Sequence, residues 1–111
     1  MINFLEETTT ILEQHNKSWS DVCFIRTEEV QVKDIEKFKK SMDFEYDNGF
    51  GSEKIPMDLI LVGKNWWIER HEYDGSEWWE YKSLPSKSSK IEDVFLMPTG
   101  FDSYELVKEG K

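Results

Sequence analysis

The run Asn65-Trp66-Trp67-Ile68-Glu69-Arg70-His71-Glu72-Tyr73-Asp74-Gly75-Ser76-Glu77-Trp78-Trp79-Glu80-Tyr81-Lys82 carries four of the chain's five tryptophans, in two pairs on either side of one Asp-Gly. Aromatic residues suit a half-buried pleated surface, and Asp-Gly accepts the positive φ of a tight turn, so a long β-hairpin is expected. In an extended strand Glu69 and His71 point to one side and Arg70 and Glu72 to the other. Strand alternation therefore splits this crowd of acid, base and imidazole between two faces.

Register decides which rings share a face. A two-residue Asp74-Gly75 loop sets Glu72 opposite Glu77 and Glu69 opposite Glu80, and like charges directly opposite are unfavourable. A three-residue loop, Tyr73-Asp74-Gly75 as a type I turn with a bulge, avoids both pairs. It places Trp67, Glu69, His71, Glu77, Trp79 and Tyr81 on one face and Trp66, Ile68, Arg70, Trp78, Glu80 and Lys82 on the other. Each face carries two tryptophans in either register, more ring surface than a chain of 111 residues readily covers on both sides.

Around the hairpin the pattern alternates helix and strand. Phe4, Leu5, Thr8, Ile11, Leu12 and His15 form one helical stripe over 4–15, with Asn3 placed to cap it and Glu6 where a capping box puts its acid. Trp19 is expected to tuck into the core. A short strand over 22–26 precedes a second amphipathic helix, capped by Asp34 and presenting Ile35, Phe38 and Met42. The apolar run Met57-Asp58-Leu59-Ile60-Leu61-Val62 reads as a central strand covered on both faces, leading into the hairpin as an antiparallel meander. Ser83-Leu84-Pro85-Ser86-Lys87-Ser88-Ser89-Lys90 is a polar linker. A further strand over 91–97 is expected to join the sheet. Asp102, Glu105 and the Phe101/Leu106 staple predict a short C-terminal helix. The expected fold is one α+β domain over 1–111: an antiparallel meander of four to five strands, two helices packed on one face, and a short C-terminal helix.

Hydrophobic residues make up 38% and aromatics 14%, so the core is expected to be built from large rings. A formal charge of -9 repels polyanions and disfavours nucleic acid as a partner; it suits solubility or a basic protein partner. The lone Cys23 sits in the apolar run Val22-Cys23-Phe24-Ile25 and is expected to be a buried structural thiol. Met1-Ile2-Asn3-Phe4-Leu5-Glu6-Glu7 lacks the basic start of a signal peptide, and no apolar run reaches the roughly 20 residues of a membrane span. A cytoplasmic protein without membrane contact is expected.

The run Asp58-Leu59-Ile60-Leu61-Val62-Gly63, followed by Trp66 to Lys82 and preceded by Tyr46-Asp47-Asn48-Gly49-Phe50-Gly51, resembles small proteins of low-GC Gram-positive bacteria and their phages. The likeness covers about the middle third of the chain. It implies no activity, cofactor or site residue, but a setting in which small acidic accessory proteins bind and block other proteins.

No catalytic motif, phosphate-cradling glycine loop or paired-cysteine site is present, and no cofactor is implied. Glu45, Asp47 and Asn48 lack the ligand spacing of a calcium loop, and shared turn chemistry accounts for them. A Glu69-His71 dyad is the one arrangement suggesting general-base chemistry, against cross-strand pairing as the plainer role. The stronger lead is the aromatic surface of Trp66, Trp67, Arg70, His71, Trp78, Trp79 and Tyr81, since Trp, Tyr and Arg concentrate binding energy at interfaces. The functional expectation is a non-enzymatic protein-binding module of accessory, inhibitor or immunity type, with a protein partner or a second copy. The alternative is small-ligand binding on the aromatic face.

Overall fold

The computed structural model describes residues 1–109. Strand β1 (Ile2–Asn3) runs straight into helix α1 (Phe4–Gln14), where the Asn3 side chain accepts from the Glu6 amide at 2.9 Å. That bond satisfies one of the free amides a helix start leaves. A single 3-10 turn (Trp19–Asp21) and β2 (Phe24–Arg26) follow, then α2 (Ile35–Ser41), capped by Asp34 through the Lys37 amide. Next come β3 (Glu45–Tyr46), β4 (Ile60–Val62), β5 (Trp66–Tyr73), β6 (Ser76–Ser83), β7 (Val94–Pro98) and β8 (Tyr104–Lys108).

The strands form three antiparallel sheets: the ribbon β1-β3, a four-stranded sheet in the order β2-β4-β5-β6, and the hairpin β7-β8. In the large sheet Ile25 pairs with Leu61 and Leu61 with Ile68, which puts Ile25, Leu61, Trp66, Ile68, Arg70, Glu77, Trp79 and Tyr81 on one face. The sheet's core residues Ile25, Leu61, Trp66, Ile68 and Trp79 all lie there, packed with Phe4 and Leu12 of α1 and with Met42, Tyr46, Ile55 and Leu59. Ile35 and Phe38 of α2 and the half-buried Trp19 pack against the same cluster. Phe4 stacks on Trp79 at 5.7 Å and meets Tyr46 edge-on, so rings do fill this core. Gly63 lies under the buried Trp66 indole, where an added Cβ would fall 2.0 Å from the ring.

The register of the long hairpin corrects the expected three-residue loop. Tyr73 pairs with Ser76, and Asp74 (φ 50°) and Gly75 (φ 86°) form a two-residue turn with left-handed geometry at both positions. This is the type I′ pattern whose twist matches the flanking strands. Glu72 does face Glu77 and Glu69 does face Glu80. Both oppositions are relieved by third parties. Glu77 is turned into the core, where it accepts from Arg70 Nη2 (2.9 Å) and from the backbone amides of Lys54 (2.6 Å) and Ile55 (3.2 Å). His71 Nε2 sits between the other two carboxylates, 2.6 Å from Glu69 Oε2 and 3.5 Å from Glu80 Oε1.

Three further expectations are overturned. Cys23 is exposed: it lies before β2, which begins at Phe24, and the buried residues of this run are Val22 and Ile25. The strand near 91–97 does not join the main sheet, and the expected C-terminal helix is strand β8, paired to β7 from Val94↔Lys108 to Pro98↔Tyr104. Gly100 (φ 94°) and Asp102 (φ 61°) take left-handed geometry, and the Thr99 amide donates to the Ser103 carbonyl, so residues that resembled a helix cap close a hairpin loop. Among the described residues, none after Tyr81 belongs to the core or packs against it. The Cα radius of gyration is 19.3 Å, against about 13 Å for a compact chain of this length, and the longest dimension is 58 Å. The β7-β8 hairpin, on its linker of residues 84–93, is an arm beside the body.

Candidate functional site

The long hairpin sorts the expected surface residues by face. Trp66, Arg70 and Trp79 lie in the core and Tyr81 is half-buried on the covered side, so these four leave the candidate surface. Their burial follows from α1, which lays Thr8 over Trp79: the indole Nε1 donates to Thr8 Oγ1 at 2.8 Å, and Thr8 donates to the Phe4 carbonyl. Tyr81 is held between His15 (3.9 Å, 4° between planes) and Trp66 (5.8 Å).

Arg70, only 4% exposed, is the centre of a buried charge network rather than a surface anchor. Its Nη2 donates to Tyr46 Oη and Glu77 Oε1, and its Nη1 lies 3.5 Å from Glu7 Oε2. Among the described residues, Nε and Nη1 have no hydrogen-bond acceptor. The guanidinium carbon instead lies 4.9 Å from the centre of the Trp79 ring and 5.3 Å from that of Phe4, whose π faces attract a desolvated cation. Burial pushes the Glu7 carboxyl above its usual range, against the lowering effect of Tyr46 and Arg70. Burial likewise raises the Tyr46 hydroxyl, which donates to Glu7.

Trp67, His71 and Trp78 remain on the open face with Glu69, Glu80 and Lys82. Each indole N–H is committed: Trp67 donates to Glu69 (2.6 Å) and Trp78 to Glu80 (3.0 Å). These indole bonds are the foremost reason both carboxyls titrate below the usual range, with His71 adding to the effect at Glu69 and Lys82 at Glu80. Glu69 and His71 do meet, but as half-exposed members of a cross-strand lattice of carboxylates, indoles and Lys82. The side chains of Phe24, Ile60 and Val62 are also half-buried on this face. In the loop that bonds the start of β6 through the Asn48 carbonyl, Asp47 accepts from the Gly49 amide at 3.0 Å, a turn bond. Among the described residues no group of three or more His, Cys, Asp or Glu is arranged to hold a metal ion.

The surface missed by sequence reasoning is the β7-β8 arm. Val94, Leu96, Tyr104 and Leu106 lie on one face and Phe95, Met97 and Val107 on the other. Exposure is high on both faces, with Leu96 at 67% and Met97 at 49%. Ile91 and Phe101 extend the apolar surface beyond the strand ends. The signal was present in Val94-Phe95-Leu96-Met97 and in Tyr104-Glu105-Leu106-Val107, two strand-prone runs separated by the turn-prone stretch Pro98-Thr99-Gly100-Phe101-Asp102-Ser103. No helix among the described residues is long and apolar enough to cross a membrane. Comparison with protein-family models, with curated proteins and with solved structures finds no match to this chain.

Proposed function

We propose that the protein is a non-enzymatic protein-binding module that engages its target through the β7-β8 arm. One observation carries the reading: the arm is a two-stranded hairpin that exposes large apolar side chains on both faces. A hairpin of two strands is marginal in water, and contiguous exposed apolar surface marks interaction sites. A partner that covers the arm supplies what the chain's own core does not. The resemblance to small proteins of low-GC Gram-positive bacteria and their phages implies a setting in which acidic accessory proteins block other proteins, and so favours a target that this protein blocks. The small-ligand alternative has less support, because the indole N–H groups of the open face are already bonded to Glu69 and Glu80.

The test is affinity capture from a low-GC Gram-positive lysate, with the full chain and the L96D/L106D variant as parallel baits. A discrete partner retained by the wild type and lost by the variant is expected. Equal recovery by both baits, or no recovery at low salt, removes the arm as the binding element.

A further inference from the structure

A second interaction surface follows from the free edge of the main sheet. In the order β2-β4-β5-β6, strand β6 has a neighbouring strand on one side only among the described residues. The Glu77 amide donates to the Asn48 carbonyl at 2.8 Å, away from β5. Period-two alternation therefore turns the amides and carbonyls of Trp79 and Tyr81 to the same outer side. Among the described residues, neither has a backbone partner there. A bare strand edge of this kind is a template for another strand, and addition of an extended segment to a sheet edge is a recurring mode of peptide recognition.

The edge is recessed rather than flat. A groove of about 680 Å³ lies against Trp78 and Trp79, walled by α1 and by the β1-β3 ribbon. Its acidic residues are Glu6 and Glu7 from the helix and Glu45 from the ribbon, and no Lys or Arg side chain lines it. Ile11 adds an apolar patch on the helix side, and the Trp78 ring belongs to the open-face side of the strand.

We infer that β6 receives an extended segment of a protein partner, paired by strand addition to Trp79 and Tyr81, with basic residues at every second position. A strand added to this edge alternates its side chains between two sides. One set faces the exposed Glu6 of α1 and Glu45 of the ribbon; the other faces Trp78. Charge complementarity selects lysine or arginine for the first set and apolar residues for the second. This surface is distinct from the arm, so the inference stands or falls separately from the proposed function.

The probe is a nine-residue peptide of alternating Lys and Val, titrated at low salt into the 15N-labelled full chain and into L96D/L106D. Saturable shifts and slowed exchange at the Trp79 and Tyr81 amides are expected, equal in the two proteins. N-methylating every second residue of the peptide is expected to abolish binding in one phase and spare it in the other, since only one set of amides faces β6. A Glu-Val peptide is expected not to bind. The substitutions E6K and E45K lie at exposed positions outside the Arg70 network and together are expected to weaken binding roughly tenfold. No binding, indifference to N-methylation, or shifts confined to the arm or to the open face overturns the inference. So does concentration-dependent protection of Trp79 and Tyr81 without peptide, which assigns the edge to a second copy of the chain.

Discussion

Two hairpins close on left-handed turn residues, Asp74-Gly75 in one and Gly100 with Asp102 in the other, yet they end in opposite circumstances. The β5-β6 hairpin has β4 alongside it and α1 across one face, and that face holds Trp66, Ile68 and Trp79 in the core. Among the described residues, the β7-β8 hairpin has no neighbouring strand and no part in the core. Strand propensity and turn chemistry are sufficient to form a hairpin locally, but burial decides whether it belongs to a body or is offered to another molecule. The difference also locates the stability of the protein. Removing a group from the first hairpin disturbs everything packed on it, whereas the second contributes nothing to the core.

The sharpest break in the first hairpin is R70L. Leucine leaves Glu77 buried with two backbone donors and Glu7 partly buried without its cation. Breaking a buried pair by removing one partner costs about 3–5 kcal/mol. Urea unfolding followed by tryptophan fluorescence measures it directly, because all five tryptophans lie at or before position 79. A loss below about 1 kcal/mol would mean that the network contributes little to stability.

Matched glycine substitutions compare the two turns on equal terms. Gly75 has φ 86° and Gly100 φ 94°, so alanine is strained at both by about 1–2 kcal/mol. G75A is expected to lower global stability by that amount, because its turn is continuous with the sheet and an added Cβ meets Gly51 backbone at 3.4 Å. G100A has open space around it and is expected to leave the fluorescence transition of the body where it is while speeding amide exchange in β7 and β8. Equal shifts in the body transition would show that the arm is coupled to the core after all.

What was legible in the sequence follows the same division. Helix α1 could be read because its stripe and its Asn3 cap are local, and the long hairpin because aromatic strands flank Asp-Gly. Its register could not, because the like-charge rule considers two residues at a time. His71 between Glu69 and Glu80, and two backbone amides on Glu77, depend on which face α1 covers and on where residues 54 and 55 pass. Alternation grouped Trp66, Ile68 and Arg70 on one face, but only packing says that this face is inside. The arm was misread because Asp102 and Glu105 carry the spacing of a helix cap, while Gly100 and Asp102 equally suit a loop. The local signals conflict, since the cap spacing favours a helix and the strand-prone Tyr104-Glu105-Leu106-Val107 a strand, and no core contact arbitrates.

The smallest expected effect separates the hairpins by the sign of their response to acid. Glu69 and Glu80 titrate below the ordinary 4.5, foremost because indole N–H groups stabilise their ionised forms. Their contribution to the β5-β6 hairpin is complete above pH 4.5 and is lost as pH falls through the lowered values. Glu109, at the base of the arm, titrates above 4.5 because it shares a hydrogen bond with Asp93 that requires a proton. Its contribution is complete below 4.5 and is lost as pH rises through the raised value. Amide exchange at stepped pH, corrected for the intrinsic rate, reads both. Descending from pH 6 to 3, protection near Asp93 and Glu109 is expected to grow first, while protection around Trp67 and Trp78 stays level and then declines below 4.5. Opening of both hairpins in the same direction would leave the Asp93-Glu109 pair without the influence assigned to it. It would also make the arm's acid response a consequence of the body's, which the separation of the two hairpins forbids.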